Sequence, residues 1–237
     1  YTDTTSKTSE AFEIMPQTYI LPQEYTQLVR AFTESEQARL QNGTQNLWIM
    51  KPVGMSRGRG ISLVRDVGNL MYSQSTVVQR YVERPLTLDG YKFDLRLYVL
   101  VTSFRPLEAF IYKEGFARVS THAYSLDPKD FDNQFIHLTN ASIQKLNEDG
   151  AKANHATNDN EESMGGSKIP LHGPHGLWAR MEKQGMDTDL VWRNICLCVL
   201  KSLVVVDEKM SNQPCCFEVF GFDVLIDKDL KPWLIEV

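Results

Sequence analysis

The chain has 237 residues, 42% of them hydrophobic and 10% aromatic, enough for one large or two small cores. Its formal net charge of −5 leaves no global basic field of the kind that draws a protein to nucleic acid, so any anion affinity must be local. A mean hydropathy of −0.31 and the lack of any apolar run of about 18 residues argue against a membrane-spanning helix and predict a soluble protein.

The first ten residues, "YTDTTSKTSE", are polar and carry no signal-peptide pattern. The chain opens without Met and closes inside the apolar run "PWLIEV", which reads as a piece of a longer protein. Residues 11–21 predict an extended segment. A helix is expected from Gln23, with Pro22 at its first position and Tyr25, Leu28, Val29 and Phe32 recurring at helical spacing. "QNGTQN" breaks it before an apolar run at 47–50, and a second run, 61–64, reads as its neighbour.

From 47 to 120 the pattern is strand-rich. Residues 75–82, "STVVQRYV", form a short apolar run that Pro85 ends. "YKFDLRLYVLVTSF" (91–104) alternates with period two. Phe93, Leu95, Leu97, Val99 and Val101 share one face, and Lys92, Asp94, Arg96 and Tyr98 the other. Residues 107–120 predict two strands around a turn at Glu114-Gly115. Residues 146–176 are polar and rich in Gly, Asn, Asp and Glu, the composition of a mobile insertion. Their histidines, His155, His172 and His175, are too scattered to suggest a metal site.

A helix is expected over about 187–206, capped by Asp187 or Asp189, with Leu190, Val191, Ile195, Cys198, Val199, Ser202 and Leu203 as its buried stripe. Two strands, 216–227 and 231–237, close the chain around the turn "DKDL". The four cysteines, Cys196, Cys198, Cys215 and Cys216, lack zinc-knuckle spacing and are expected to be buried, reduced thiols. β-rich, then helical, then a hairpin is the order of an α+β protein rather than an alternating βαβ one.

Four stretches could carry chemistry. "KPVGMSRGRGI" (51–61) sets Lys51 at a strand end before three glycines and two arginines. Such a loop can close over phosphate through its backbone N–H groups, or be an ordinary basic hairpin. It has neither the Walker nor the dinucleotide-binding order. Lys92, Asp94 and Arg96 face one way from a strongly apolar strand. Either they are the solvated side of an edge strand, or they line a cleft that meets phosphates or carboxylates. Asp223 and Glu236 each lie in an apolar strand of the final hairpin. Carboxylates meeting there would repel unless a cation bridged them, and Mg²⁺ suits one or two carboxylates plus phosphate oxygens. "HLTN" (137–140) and "VVQRYV" (77–82) say little alone.

Together these stretches resemble the tubulin tyrosine ligase-like enzymes of the ATP-grasp superfamily. The matching blocks run in order from about residue 18 to the end: "LPQEY", "WIMKPVGMSRGRGI", "VVQRYVERPL", "YKFDLRLYVLV", "IYKEGFARVST", "HLTNASIQK", "CFEVFGFDVLID" and "KPWLIEV". The resemblance implies an ATP-grasp fold of mixed, largely antiparallel sheets with packing helices. Residues 1–82 would hold the end of an N-terminal segment and the central lobe, and residues 83–237 the C-terminal lobe. The N-terminal lobe would be missing. So would an asparagine just after Val237, the third metal ligand.

By the same resemblance, Lys51 and the loop residues Ser56, Arg57, Gly58, Arg59 and Gly60 would close over ATP phosphates, and Ile61 would also bind the nucleotide. Gln79, Arg80, Tyr81 and Val82 would form the adenine-holding hinge. Lys92, Asp94, Arg96 and Arg118 would be catalytic, with Lys92 and Asp94 also touching nucleotide. Thr139 and Asn140 would be nucleotide contacts, and Asp223 and Glu236 would bind Mg²⁺. The implied chemistry is ATP-dependent addition of free glutamate to glutamate side chains of tubulin C-terminal tails through an acyl-phosphate. Glycine addition and a non-catalytic tubulin- or nucleotide-binding module are the alternatives. The implied partner is tubulin, with no nucleic acid or membrane. The implied setting is a monomer in the cytoplasm, on the cytoskeleton or at a cilium.

Overall fold

The structure is a computed structural model that describes residues 12–43, 45–55, 58–70, 75–147, 166–210 and 216–237. Ser56, Arg57, Cys215 and His155 therefore lie outside the described residues, as does most of the 146–176 insertion.

The first half builds a four-stranded antiparallel sheet. Its strands are β1 (Thr18–Leu21), β2 (Trp48–Pro52), β3 (Ser62–Val64) and β4 (Thr76–Arg80), in the order β1-β4-β2-β3. Helix α1 (Tyr25–Asn42) covers one face. It begins two residues later than the sequence suggests, and Pro22 lies outside it. The Glu24 carboxylate folds back to accept the Ile20 N–H, a turn that delays the helix. Leu28 of the expected stripe, joined by Ala31, packs with Leu21, Trp48, Val64, Leu70 and Val78, and Tyr25 and Phe32 lie against this cluster.

The second half is organised by β6 (Tyr91–Phe104). It pairs with β7 (Leu107–Ala123) on one side and β9 (Glu218–Ile226) on the other. β5 (Thr87–Leu88), β8 (Lys168–Pro170) and β10 (Pro232–Glu236) complete the sheet. Period-two alternation sends Phe93, Leu95, Leu97, Val99 and Val101 to one face, all 2% exposed or less. There they meet α4 (Leu177–Lys183) and α5 (Thr188–Val206), through Leu177, Met181, Val191, Ile195, Val199 and Leu203. Each such aliphatic side chain contributes about 1.5–3 kcal/mol by leaving water. The Asp187 carboxylate caps α5 by accepting the Leu190 N–H. Leu190 itself is exposed, outside the stripe expected for it. Among the described residues no helix is long and apolar enough to cross a membrane.

Two expectations need correction. Residues 107–120 are one continuous strand, not two around a turn. Between the pairs Arg96↔Phe116 and Tyr98↔Tyr112 the register shifts, and the chain absorbs extra residues of β7 as a bulge. Gly115 sits in that bulge because a Cβ there would lie 2.6 Å from the Arg96 carbonyl oxygen. The cysteines are not uniformly buried: Cys198 is, Cys196 is half-buried, and Cys216 is exposed beside the start of β9.

Leu47, Ile49 and Tyr81 of the first half pack against Phe131, Leu138 and Ile143 of the second. The last two come from the segment holding α2 (Gln134–His137) and α3 (Ala141–Gln144). This third cluster closes one side of the gap between the sheets and leaves a cleft beside it. Gly115→Ala should destabilise the protein by about 1–3 kcal/mol, since β6 and β7 must part at the bulge to admit the methyl. Equilibrium unfolding in denaturant checks this; an unchanged midpoint would show the bulge is not tight.

Candidate active site

The other face of β6 carries Lys92 and Asp94 into that cleft, while Arg96, next along the same face, is not among its lining residues and reaches the site only through Asp223. The cleft encloses about 650 Å³ of empty space, part of it open to solvent. Its walls include Lys51, Gln79, Arg80, Tyr81, Val82, Lys92, Asp94, Arg118, Thr139, Asn140, Asp223 and Glu236. Lys92 is 7% and Asp94 6% exposed, so the solvated-edge reading of this strand face does not hold.

Sheet register explains the convergence. Asp94 lies opposite Arg118, Arg96 opposite Asp223, and Asp223 opposite Glu236. Arg118 grips Asp94 with two parallel bonds, Nε to Oδ1 at 2.7 Å and Nη2 to Oδ2 at 2.6 Å. Its Nη2 also reaches Asp223 Oδ2, at 2.7 Å. Arg96 holds Asp223 through Nε to Oδ1 at 2.5 Å and Nη2 to Oδ2 at 3.1 Å. The Thr139 hydroxyl donates to Asp94 Oδ2 at 2.7 Å. Burial works to lower the Arg118 pKa, but Asp94 and Asp223 outweigh it and hold the guanidinium above its ordinary value. Asp94 is thus a brace for Arg118.

Lys51 leaves the end of β2 and crosses the cleft. Its Nζ donates to Gln79 Oε1 at 2.9 Å and to the Ile235 carbonyl of β10 at 3.4 Å. Gln79 is fixed in turn by donating to the Thr18 hydroxyl at 2.9 Å. Burial lowers the Lys51 pKa, opposed by the attraction of Glu236 and Asp223. Lys92 Nζ donates to the Tyr81 hydroxyl at 3.0 Å and to the His137 carbonyl at 2.8 Å. Burial pulls its pKa down to about 7, against the attraction of Asp94 and with the repulsion of Lys51.

The glycine loop is described at residues 51–55 and again from Gly58 on. Gly58 is buried at φ +74°, where a Cβ would sit 3.0 Å from Asn140 Oδ1, so the loop's return leg rests on Asn140. Arg59 and Gly60 are exposed, and Ile61 lines the cleft. Arg80 borders the cleft, but its guanidinium bonds Ser35 and the Gln45 carbonyl and lies over the Trp48 ring, on the helix-covered side of the sheet.

Asp223, 2% exposed, and the exposed Glu236 form the carboxylate pair expected across the hairpin. Among the described residues no group of three or more His, Cys, Asp or Glu is placed to hold a metal. The pair still fits Mg²⁺: a carboxylate offers about four lone-pair positions, so Asp223 keeps acceptor capacity beyond its arginine bonds. Mg²⁺ commonly takes two carboxylates and fills its shell with phosphate oxygens and water.

Residue-by-residue reading of the sequence missed His137 and Thr18. His137 stood in the polar tetrapeptide "HLTN", but nothing in its spacing told that it would be 3% exposed and hydrogen-bonded at both ring nitrogens.

Paired carboxylates, two lysines from different sheets and the end of a glycine loop thus meet at one cleft of an α+β protein. The chain belongs to the tubulin-tyrosine ligase family, whose model matches residues 1–237. It is 35% identical to the tubulin polyglutamylase TTLL5 of Homo sapiens over 236 residues, covering 96% of this chain and 17% of that relative. It is 34% identical to the tubulin monoglutamylase TTLL4 of Mus musculus over 234 residues, 95% of this chain and 18% of the relative. To the tubulin polyglutamylase ttll-4 of Caenorhabditis elegans it is 36% identical over 234 residues, 95% of this chain and 36% of the relative. The chain thus spans between about a sixth and about a third of these relatives' lengths.

Two outcomes follow from the charges. Arg118→Gln should cost about 3–5 kcal/mol by leaving buried carboxylates uncompensated. Adding Asp94→Asn should recover part of that loss in a double-mutant cycle; strict additivity would show the pair is not coupled. The second concerns Lys92. Its folded pKa lies below the ordinary 10.5, so the unfolded chain binds more protons between about pH 7 and pH 10. The penalty is complete below about pH 7 and fades as pH rises. Wild type should therefore gain stability relative to Lys92→Met between about pH 7 and 9.5; a difference that stays flat with pH would contradict the burial of a charge there.

Proposed function

We propose that the protein containing this chain is an ATP-dependent ligase that adds glutamate to glutamate side chains of tubulin tails. One observation carries the reading: Lys51 from the first sheet and Lys92 from the second converge on one cleft whose far wall is the Asp223–Glu236 pair. Family membership and the printed names of the relatives, polyglutamylases and a monoglutamylase, support the choice of glutamate and of tubulin.

In this reading residues 1–82 and 83–237 are the central and C-terminal lobes, and the cleft between them takes the nucleotide. ATP with Mg²⁺ supplies the phosphoryl group that activates the acceptor carboxylate. Asp223 and Glu236 hold the metal. Lys51 and Lys92 offer fixed positive charge to the phosphates without reorganising, which is where electrostatic catalysis gains most. Ile61 and the Gln79–Val82 segment border the base, and Thr139 and Asn140 lie on the nucleotide side. Ser56, Arg57, Gly58, Arg59 and Gly60 cover the phosphates. Arg118 and Arg96, already braced by carboxylates, face the carboxylate-bearing substrates. The setting this implies is the microtubule cytoskeleton, including that of cilia.

The test is mass spectrometry of tubulin incubated with the full-length protein, ATP, Mg²⁺ and, separately, glutamate, glycine or tyrosine. Added glutamate is expected. Addition of glycine alone would make the protein a glycylase, and no ADP release with any of the three would make it a binding module. Glu236→Gln should abolish ligation while leaving the unfolding midpoint within about 0.5 kcal/mol of wild type, as for an exposed side chain; unchanged turnover would sink the metal assignment.

A further inference from the structure

Behind Lys92 lies a short chain of hydrogen bonds whose donors follow from geometry once the imidazole is neutral. His137 Nε2 is 3.1 Å from the Asp130 carbonyl oxygen. A carbonyl only accepts, so Nε2 carries the hydrogen. A neutral imidazole has one N–H, which leaves Nδ1 as an acceptor. The Tyr81 hydroxyl, 3.0 Å from Nδ1, then donates there; its other neighbouring acceptor is the Tyr124 oxygen, whose own hydrogen goes to the Glu83 carbonyl. The single Tyr81 hydrogen is spent on Nδ1, so the Tyr81 oxygen turns lone pairs toward Lys92 Nζ, at 3.0 Å. The same lysine donates a second hydrogen to the backbone carbonyl of His137, at 2.8 Å.

His137 therefore fixes two of the three ammonium hydrogens of Lys92, one through its carbonyl and one through Tyr81. Only the third is left for the cleft. The aromatic packing is consistent. The Tyr81 and Tyr124 rings meet His137 edge-on, Phe131 lies against it, and Lys92 Nζ is 4.5 Å from the Tyr81 ring centroid. The charged or titratable groups around the imidazole are Tyr81, Tyr124, Lys92 and Asp130. Burial first, then the charge of Lys92, hold the His137 pKa down at about 4, so the neutral tautomer persists across ordinary working pH.

We propose that His137, acting through the Tyr81 hydroxyl, is a positioning residue that aims Lys92 Nζ at the phosphate-bearing co-substrate. This rests on reading Lys92 as a nucleotide contact. It also ties the Gln79–Val82 segment to the phosphate-binding lysine, so that one residue, Tyr81, serves both ends of the nucleotide site.

Two substitutions at His137 separate positioning from simple structural support. His137→Asn puts a carbonyl oxygen near the place of Nδ1 and keeps the acceptor for Tyr81, but loses the Asp130 anchor. His137→Gln keeps a donor near the place of Nε2 for Asp130 and loses the acceptor. Affinity of the full-length protein for ATP with Mg²⁺, glutamate ligation rates and unfolding midpoints would be measured for both, with Tyr81→Phe alongside. Tyr81→Phe and His137→Gln should each weaken ATP binding by about tenfold, the scale of one hydrogen bond to a charged group. His137→Asn should stay within about threefold of wild type.

The reverse order at His137 would mean that the residue only anchors the Asp130 segment, and would overturn the proposal. So would unchanged affinity in Tyr81→Phe, a variant that decides the matter even if His137→Gln fails to fold. Wild type that binds ATP but ligates nothing would sink the ligase reading and leave the relay to be judged on affinity. Wild type that binds no ATP overturns both.

Discussion

Arg118 is the charge on which the large sheet's inner face depends. Two carboxylates, Asp94 and Asp223, sit almost out of water on neighbouring strands, and burying either alone would be expensive. Arg118 bridges them, and Arg96 takes the remaining side of Asp223. Two positive and two negative side chains thus neutralise one another across β7, β6 and β9. The arrangement permits a charged site in the middle of a sheet whose opposite face is apolar. Its cost is rigidity: none of the four can move without stranding another.

That rigidity has a functional side. Catalysis by fixed charge works best where the protein, not the substrate, has already oriented the groups. The arginines are braced by carboxylates, Lys92 by Tyr81 and His137, and Lys51 by Gln79, itself tied to Thr18. Burial depresses the pKa of both lysines, so an arriving polyanion would favour their charged, ammonium form. The exposed Glu236 stands apart from this network and is the site's most accessible carboxylate.

Much of this was legible in the chain. Alternation along Tyr91–Phe104 separated the buried apolar face from the other face correctly, because a strand surrounded by other strands has only two faces to offer, but of that other face only Lys92 and Asp94 line the cleft. The closing hairpin and the capped helix over Thr188–Val206 were equally readable, since turn chemistry and a 3.6-residue stripe are local signals. The break expected at Glu114-Gly115 failed for a reason no local signal carries. A glycine in a strand pattern marks either a turn or a bulge, and only pairing with β6 decides which. The burial of His137 escaped for a similar reason: a polar tetrapeptide in a connecting segment looks solvated until three rings close over it.

The sequence by itself determined which side chains alternate, where the chain can turn, and that lysines, arginines and carboxylates recur in strand ends and strand faces. Those are properties of neighbours along the backbone. What only the tertiary structure decided is who meets whom. Lys51 and Lys92 are 41 positions apart, and Asp94 and Asp223 lie on strands separated by the whole helical segment. Sheet register brings the carboxylates together and the packing of one sheet against the other brings the lysines together; register is itself set by long-range packing of the apolar face. The same packing decided that Asp94 serves as a brace, that Arg80 turns to the wrong side of its sheet to meet a ligand, and that Tyr81 and His137 stand behind Lys92. Roles of that kind belong to distances between side chains, and a linear chain does not contain distances.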